Sequence, residues 1–241
     1  MASPTPTRQP EFGETWVYES IISALPGVEL SQPVAIAIQL AIFEIGVLLL
    51  AAYYGLWSAA IAGTAAVFVA AVGSAEMLRI STLTRAVPVP ESYRRLLFGS
   101  SVEVVLAVLA YIALITHLFV FDPAGGGTPL TERLFGPEPP VLVVYLTLLV
   151  LWDVCYRIGT NWWASVTALW RSARYQFEPD TARAFQRADV ETVAFGLLQL
   201  LLVPFITDFP VLMATLVAHV GAVTLICGLS VVLLQVRTPT V

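Results

Sequence analysis

Long apolar runs separated by short polar breaks dominate the pattern of this chain. An α-helix needs about 20 residues to cross roughly 30 Å of hydrocarbon, and each run is close to that length or a multiple of it. Because the apolar residues do not come in short alternating segments, they predict helices rather than strands. The pattern predicts an all-α integral membrane protein whose six transmembrane helices pair as antiparallel hairpins. They form one domain over residues 33–236, with spans at 33–53, 57–79, 96–121, 140–163, 189–206 and 211–236.

Turn-forming residues mark the ends of these runs. The apolar stretch 33–75 is about twice the length of one span, and the aromatic and glycine residues at 53–57 predict a tight turn at its midpoint. Glycines and prolines between residues 123 and 140 predict an irregular loop. Pro179 predicts the end of the fourth helix, because the residue before a proline avoids the α conformation. Asp180 is typical of the N-cap of the next helix.

The distribution of arginine predicts the orientation in the membrane. All twelve basic residues are arginine, and a six-span topology places every one except Arg133 on the side of the N-terminus. By the positive-inside rule, both termini are cytoplasmic. Residues 1–32 and 237–241 are then cytoplasmic tails. Residues 15–25 predict either a short interfacial helix or a loosely ordered tail.

Composition narrows the classes of function. Hydrophobic residues make up 58% of the chain and charged residues 12%, about half the charged share of a soluble domain, which excludes an ordinary cytosolic enzyme. The arginines are scattered among acidic residues and form no stripe that would bind nucleic acid. Arginine without lysine is typical of some prokaryotes, so we expect a prokaryotic plasma membrane. The expected partners are the lipid bilayer and either a second copy of the chain or another subunit of a membrane complex.

Ionisable and amide side chains within the predicted spans are candidate functional residues, since such groups are costly in hydrocarbon. A rise of 1.5 Å per residue brings several of them to overlapping depths. Asp153 and Arg157 lie one turn apart on the same helix face, where an ion pair is favoured. We hypothesise a polar cavity, open to the cytoplasm, that carries protons or attracts cations. Its lining would be Glu44, Glu103, Asp153, Arg157, Gln199 and His219.

The same residues have a purely structural interpretation. Asp153 and Arg157 would neutralise each other, while Glu44 and Glu103 would bond to hydroxyl groups on neighbouring helices and hold those helices together. Both interpretations stay open from the sequence, because structural ion pairs perturb titration as readily as functional ones.

A second set of polar and aromatic residues lies at the predicted cytoplasmic end of the spans. It would form a gate or a pocket for a lipid head group, and its members are Glu76, Tyr156, Asn161, Trp162, Trp163 and Glu191. The alternative is an interfacial aromatic belt with a snorkelling arginine. That alternative accounts for the two tryptophans but less well for Asn161.

The sequence predicts no cofactor, no metal site and no catalytic residue. Its two histidines, His117 and His219, fall at different heights, which argues against a haem held by both. The chain has no His-Glu-x-x-His pattern, and no histidine is level with the serines at 100–101 to activate a nucleophile. Cys155 and Cys227 both lie in apolar spans, so they indicate no disulfide framework.

Three classes of function remain after these exclusions. The first is a small ion- or proton-coupled transporter or channel that uses the acidic cavity. The second is a non-catalytic subunit or scaffold of a membrane complex, which binds a partner or lipid through its cytoplasmic segments. The third is a lipid-modifying membrane enzyme with carboxylates as acid and base near the interface.

Overall fold

Six long helices make up most of the protein. The computed structural model describes Trp16 and residues 31–237, apart from the side chain of Gln32, and within that part every regular element is a helix. All six helices are long and apolar enough to cross a membrane, which confirms the predicted all-α class and, over the described residues, the prediction of six helices of this kind. We label them α1 to α6: Pro33–Tyr54, Trp57–Ala86, Glu91–Ala124, Val141–Arg174, Pro179–Phe205 and Pro210–Arg237.

Several helices extend beyond their apolar runs. α2 ends at Ala86 rather than at residue 79, because its last turns bury Ser81 and Thr84 in the bundle. α4 is one helix of 34 residues, about 51 Å long at 1.5 Å per residue, and exceeds the hydrocarbon thickness. The expectation that Asp180 is the N-cap of α5 is wrong: that helix begins at Pro179. Proline suits the first helical position because its fixed φ is helical and it lacks an N–H group.

Two helices contain irregular turns. α3 includes π-helical turns at Arg95–Gly99 and His117–Phe121 and is interrupted at residues 100–101, where Ser101 has a φ of 54°. α5 tightens to a 3-10 helix over Gln199–Phe205, which contains Pro204. Proline lacks the N–H group that would continue the α-helical bonding, so the tighter winding falls where the sequence predicts a bend.

The connection between α3 and α4 contains a short helix, Leu130–Phe135, within the predicted irregular loop. Asp122 at the end of α3 anchors this helix, since its Oδ2 atom accepts a hydrogen bond from the Leu130 backbone nitrogen at 2.7 Å. Leu130 itself is buried in an apolar cluster with Leu118 and Phe209. These contacts tie the loop to α3 and to the α5–α6 turn.

α4 lies at the centre of the bundle and contacts each of the other five helices. Two glycines allow its closest approaches. A Cβ atom on Gly159 of α4 would lie 3.0 Å from the backbone nitrogen of Ala107 in α3. A Cβ atom on Gly73 of α2 would lie 2.8 Å from the Arg157 Cβ atom and 2.6 Å from the Phe195 ring. Real Cβ atoms do not come this close, so only glycine fits at residue 73.

Candidate functional site

Polar side chains cover the inward faces of the central helix. In a protein that crosses lipid, buried polar and charged groups are costly and are functional candidates by default. Those of α4 lie between Asp153 and Ser172, and their contacts reach all five of the other helices. They are Asp153, Arg157, Thr160, Asn161, Ser165, Thr167, Arg171 and Ser172.

The first charged group on α4 is a buried ion pair. The Nη2 atom of Arg157 donates to Asp153 Oδ1 at 2.9 Å, one turn away on the same helix. Gln39 of α1 donates its Nε2 hydrogen to the other Asp153 oxygen at 3.3 Å. The second guanidinium nitrogen, Nη1, lies 3.1 Å from the Met77 sulfur of α2. The pair therefore links α4 to α1 and α2.

Little space for water lies beside this ion pair. The crevice between α1, α2 and α4 that contains Asp153 has a volume of about 10 Å³. A buried water needs roughly 10–15 Å³ by the same measure. The crevice therefore has room for about one water molecule.

A second buried ion pair lies nearer the C-terminal end of α4. Arg171 and Asp189 of α5 are both fully enclosed, and Arg171 Nη2 lies 2.5 Å from Asp189 Oδ1. The other Arg171 nitrogen, Nη1, donates to the Tyr93 hydroxyl of α3 at 2.9 Å. Ser230 of α6 donates to Asp189 Oδ2 at 2.6 Å, and the guanidinium stacks 4.0 Å above the Phe185 ring. This network joins α3, α4, α5 and α6.

The sequence pattern does not predict this second pair. It indicates Arg171 only as one of the positive charges that set the orientation. One signal was available: Ala164, Ala168 and Ser172 share the Arg171 face of α4, and a face of small residues indicates close helix packing. An arginine on such a face requires an acidic partner, but the sequence does not say which acid faces it.

Two buried amide side chains form the third feature of the site. Asn161 of α4 is 3% exposed and Gln199 of α5 is 0% exposed. Within the part of the chain that the structure describes, neither the nitrogen nor the oxygen of either amide has a hydrogen-bond partner. An unsatisfied buried polar group costs about 1–3 kcal/mol. These four atoms are therefore an exception that packing alone does not explain.

Asn161, Gln199 and His219 lie in adjoining turns where α4, α5 and α6 meet. A Cβ atom on Gly196 of α5 would lie 3.7 Å from the Asn161 Nδ2 atom and 3.5 Å from a Val223 methyl group of α6. Gln199 is one turn beyond Gly196, and His219 is one turn before Val223, both towards the α5–α6 connection. The His219 Nε2 atom also lacks a partner among the described residues, and its ring centroid is 5.9 Å from that of Trp162.

Glu76 of α2 extends this series of polar side chains. It lies beside an earlier turn of α5, on the opposite side of Gly196 from Gln199. It is buried on α2, and its Oε1 atom accepts a hydrogen bond from the Thr192 hydroxyl at 3.0 Å. Thr192 lies one turn before Gly196 on α5. We call Glu76, Thr192, Asn161, Gln199 and His219 the polar file. It follows one face of α5 and contains two acid–base groups, the carboxyl of Glu76 and the imidazole of His219.

The remaining predicted site residues lie elsewhere. Glu44 accepts a hydrogen bond from Thr64 at 2.7 Å between α1 and α2. Glu103 is buried on α3 near Gly159. Trp163 donates to the Leu96 carbonyl oxygen of α3 at 3.2 Å. Glu191 forms a bidentate ion pair with Arg79 at one end of the bundle.

The predicted site residues thus separate into groups that face different helices. Tyr156 is buried beside Trp152 on the α3 side of α4, with ring centroids 6.3 Å apart. Asp153 and Arg157 face α1 and α2, whereas Asn161 of α4 lies near α5 and α6 and His219 of α6 lies beside Trp162 of α4. Over Trp16 and residues 31–237, no three His, Cys, Asp or Glu side chains lie close enough to hold a metal ion.

Comparison with known proteins identifies a family. No curated protein and no solved structure matches this chain. A family model matches residues 11–230, and its description is "Family of unknown function (DUF7530)". The match covers all six helices except the last turns of α6. The chain therefore belongs to the DUF7530 family.

Proposed function

We propose that this protein is a small transporter or channel of a prokaryotic plasma membrane, and that protons or small cations cross it along the polar file. The observation that carries the proposal is the pair of enclosed amides, Asn161 and Gln199, whose polar atoms lack partners among the described residues. Four such atoms would cost several kcal/mol if they stayed unsatisfied. A pathway that water or an ion enters supplies the missing partners.

The two titratable groups of the polar file suit a proton or cation pathway. Glu76 lies near the end of the bundle where Arg79 pairs with Glu191. His219 lies towards the α5–α6 connection, beyond the amides. Carboxyl and imidazole groups exchange protons readily, whereas amides do not, so the amides would hold water between them.

Orientation follows from the arginines in this proposal. Contacts between Arg237 and Ser172 and between Arg79 and Glu191 join the arginine-bearing ends of several helices. Arg133 pairs with Asp208 at the α5–α6 turn. The positive-inside rule then makes the arginine-rich end cytoplasmic, with both termini on that side. Glu76 would face the cytoplasm.

The two buried ion pairs have a supporting role in this account. Asp153–Arg157 fixes α4 against α1 and α2, and Arg171–Asp189 fixes it against α5 and α6. Breaking a buried pair by removing one partner leaves an uncompensated charge at a cost of about 3–5 kcal/mol. The pairs therefore hold the helices that border the polar file in register.

Proton flux into liposomes tests the proposal. Purified protein would be reconstituted with a pH-sensitive dye inside, and a potassium gradient with valinomycin would set the membrane potential. We expect flux well above that of empty liposomes, and at least a tenfold loss in Asn161→Leu and in Gln199→Met. A parallel measurement with sodium and potassium gradients covers the cation case.

A matched control distinguishes the pathway from general damage. Thr224→Val also removes a polar group from α6, but its hydroxyl donates within the helix to the Val220 carbonyl oxygen at 2.8 Å. We expect its flux to equal that of the unaltered protein. Absence of both proton and cation flux, or equal flux in all three variants, would contradict the proposal.

A second candidate function is a non-catalytic subunit or scaffold of a membrane complex. The observation in its favour is the tight enclosure of both ion pairs, since the voids beside Asp153 and Arg171 are each about 10 Å³. Purification in mild detergent tests this candidate. A partner recovered at fixed stoichiometry, or a stable homo-oligomer without flux, would favour the scaffold, and an isolated active monomer would exclude it.

A further inference from the structure

A large open pocket lies at the end of the bundle that carries Arg133. It has a volume of about 700 Å³ and is bordered by the end of α3, the glycine-containing loop, the short helix Leu130–Phe135 and the α5–α6 turn. Pockets that bind small molecules in proteins are roughly 300–1,000 Å³. The polar file and the two buried ion pairs do not contribute residues to this pocket.

The charges on the pocket wall favour one class of ligand. Of the described lining residues, two are carboxylates, Asp122 and Asp208, and one is a cation, Arg133. Arg133 pairs with Asp208 at 2.5 Å. Asp122 uses its Oδ2 atom to accept the Leu130 backbone hydrogen. With Asp208 neutralised, the Asp122 carboxylate leaves the wall with about one net negative charge.

The other wall is apolar and partly aromatic. Phe121 exposes 64% of its surface, and Phe209, Pro210 and Val211 complete that side of the pocket. An ammonium group is attracted both by a carboxylate and by the face of an aromatic ring. His117 lines the same pocket and adds a group that can donate or accept a hydrogen bond.

Apolar contacts within the protein hold the walls of the pocket in place. Phe209 is buried in the same apolar cluster as Leu118 and Leu130, which fixes the α5–α6 turn against α3 and the short helix. Preorganised walls lower the entropy that a ligand loses when it binds.

We propose that this pocket binds a small organic monocation: an ammonium head against Asp122 and an apolar body against Phe121 and Phe209. The proposal does not depend on transport through the polar file. An anion would meet two carboxylates and one already paired arginine, so it should be rejected. A bare metal ion is not favoured either, because no three metal-ligating side chains converge in the described residues.

A series of three aromatic probes of similar size tests the charge preference in the unaltered protein. Benzylammonium, benzyl alcohol and benzoate would be titrated separately against the full chain in lipid nanodiscs, with binding followed by saturation-transfer NMR or calorimetry. We expect benzylammonium to bind at least fivefold more tightly than benzyl alcohol, and benzoate to bind most weakly. Equal binding of all three, or tightest binding of benzoate, would overturn the proposal.

Two variants with opposite expected effects locate the binding. Asp122→Asn removes the charge but keeps an oxygen that can accept the Leu130 hydrogen, and it should weaken benzylammonium binding about fivefold. Arg133→Gln frees the Asp208 carboxylate, and it should strengthen binding about threefold. These factors are modest because exposed charge pairs interact weakly in water. Asp180→Asn, at the opposite end of the bundle, is the matched control.

A stability measurement on each variant distinguishes a loss of binding from a loss of folding, in case a substitution disturbs the α3–α4 connection. A thermal melt of each protein shows whether the variant keeps its overall fold. Binding that weakens in Asp122→Asn but not in Asp180→Asn supports the assignment. Binding that changes equally in both, or that Arg133→Gln weakens while its melt is unchanged, overturns it.

Discussion

Replacement of Asn161 by leucine should make the protein more stable while it lowers flux at least tenfold. Leucine has the same branched shape as asparagine at Cγ but no polar atoms, so Asn161→Leu preserves the packing against Gly196 and Val223. The substitution removes one amide nitrogen and one amide oxygen that have no partner among the described residues. Loss of function combined with gain of stability is typical of functional sites.

The expected gain follows from those two atoms. In the proposed pathway water partners these atoms, and holding such water in place costs about 0–2 kcal/mol, against about 1–3 kcal/mol for a buried polar group left unsatisfied. Polar groups of an unfolded chain in lipid also find partners, which lowers such differences to about 0.6 kcal/mol on average in a measured membrane protein. We therefore expect that removing the two polar atoms of Asn161 raises the free energy of unfolding by about 1 kcal/mol. This corresponds to a change of about fivefold in the unfolding equilibrium.

Reversible unfolding in mixed micelles, with a rising mole fraction of dodecyl sulfate, measures this change. Ser230→Ala serves as a control of opposite sign, because the Ser230 hydroxyl donates to the buried Asp189 carboxylate at 2.6 Å. Its loss should destabilise the protein by about 1–2 kcal/mol. If Asn161→Leu destabilises the protein as much as Ser230→Ala does, the amide is a fixed structural element and the reasoning is refuted.

Three further predictions concern the helix packing around the site. Gly73→Ala should cost at least about 1–3 kcal/mol, because its Cβ atom would clash with two neighbours, whereas Gly228→Ala, with nothing within 4 Å, should be harmless in the same unfolding assay. Arg171→Met should destabilise the protein by about 3–5 kcal/mol, and the double variant with Asp189→Leu should recover most of that loss; no recovery would mean that the pair is not coupled. Gln39→Leu should release α1 from Asp153 and raise hydrogen exchange in α1 severalfold, and unchanged exchange would show that apolar packing alone holds that helix.

The number of helices and their class could be predicted from the sequence because both follow from local properties. An apolar run of about 20 residues predicts a span without any knowledge of its neighbours. Pro204 likewise predicts a local irregularity in α5, since the missing N–H group acts within one turn. The ends of α2 and α4 are harder to predict, because tertiary burial of residues such as Thr84 and Arg171 extends each helix past its apolar run.

The grouping of the polar residues could not be predicted, because it depends on how each helix is rotated. Depth counting gives Glu44, Asp153 and Gln199 overlapping heights but does not give their directions. In the structure Glu44 faces Thr64 of α2, Asp153 faces Gln39 of α1, and Gln199 lies one turn beyond Gly196, which packs near Asn161 and Val223. A one-residue change of position turns a helical side chain by about 100°, so similar depths place residues against different helices.

The charged pocket at the Arg133 end could not be predicted from the sequence, because the α3–α4 connection and the α5–α6 turn both contribute residues to it. The glycines and prolines of the α3–α4 connection indicate an irregular segment, but they do not indicate that Asp122 caps a short helix there. Arg133 and Asp208 are 75 residues apart, and their pairing follows from tertiary contacts alone.

Water access to Asn161 tests the central claim most directly. Thiols react with methanethiosulfonate reagents as thiolates, which form only where water reaches them. In a background with Cys155→Ala and Cys227→Ala, Asn161→Cys reconstituted in liposomes should react with a small reagent of this class. Ile42→Cys on the lipid-facing side of α1 should stay unreactive, and the exposed Asp180→Cys should react fully. Reaction of Asp180→Cys without any reaction of Asn161→Cys would contradict a water-filled pathway along α5.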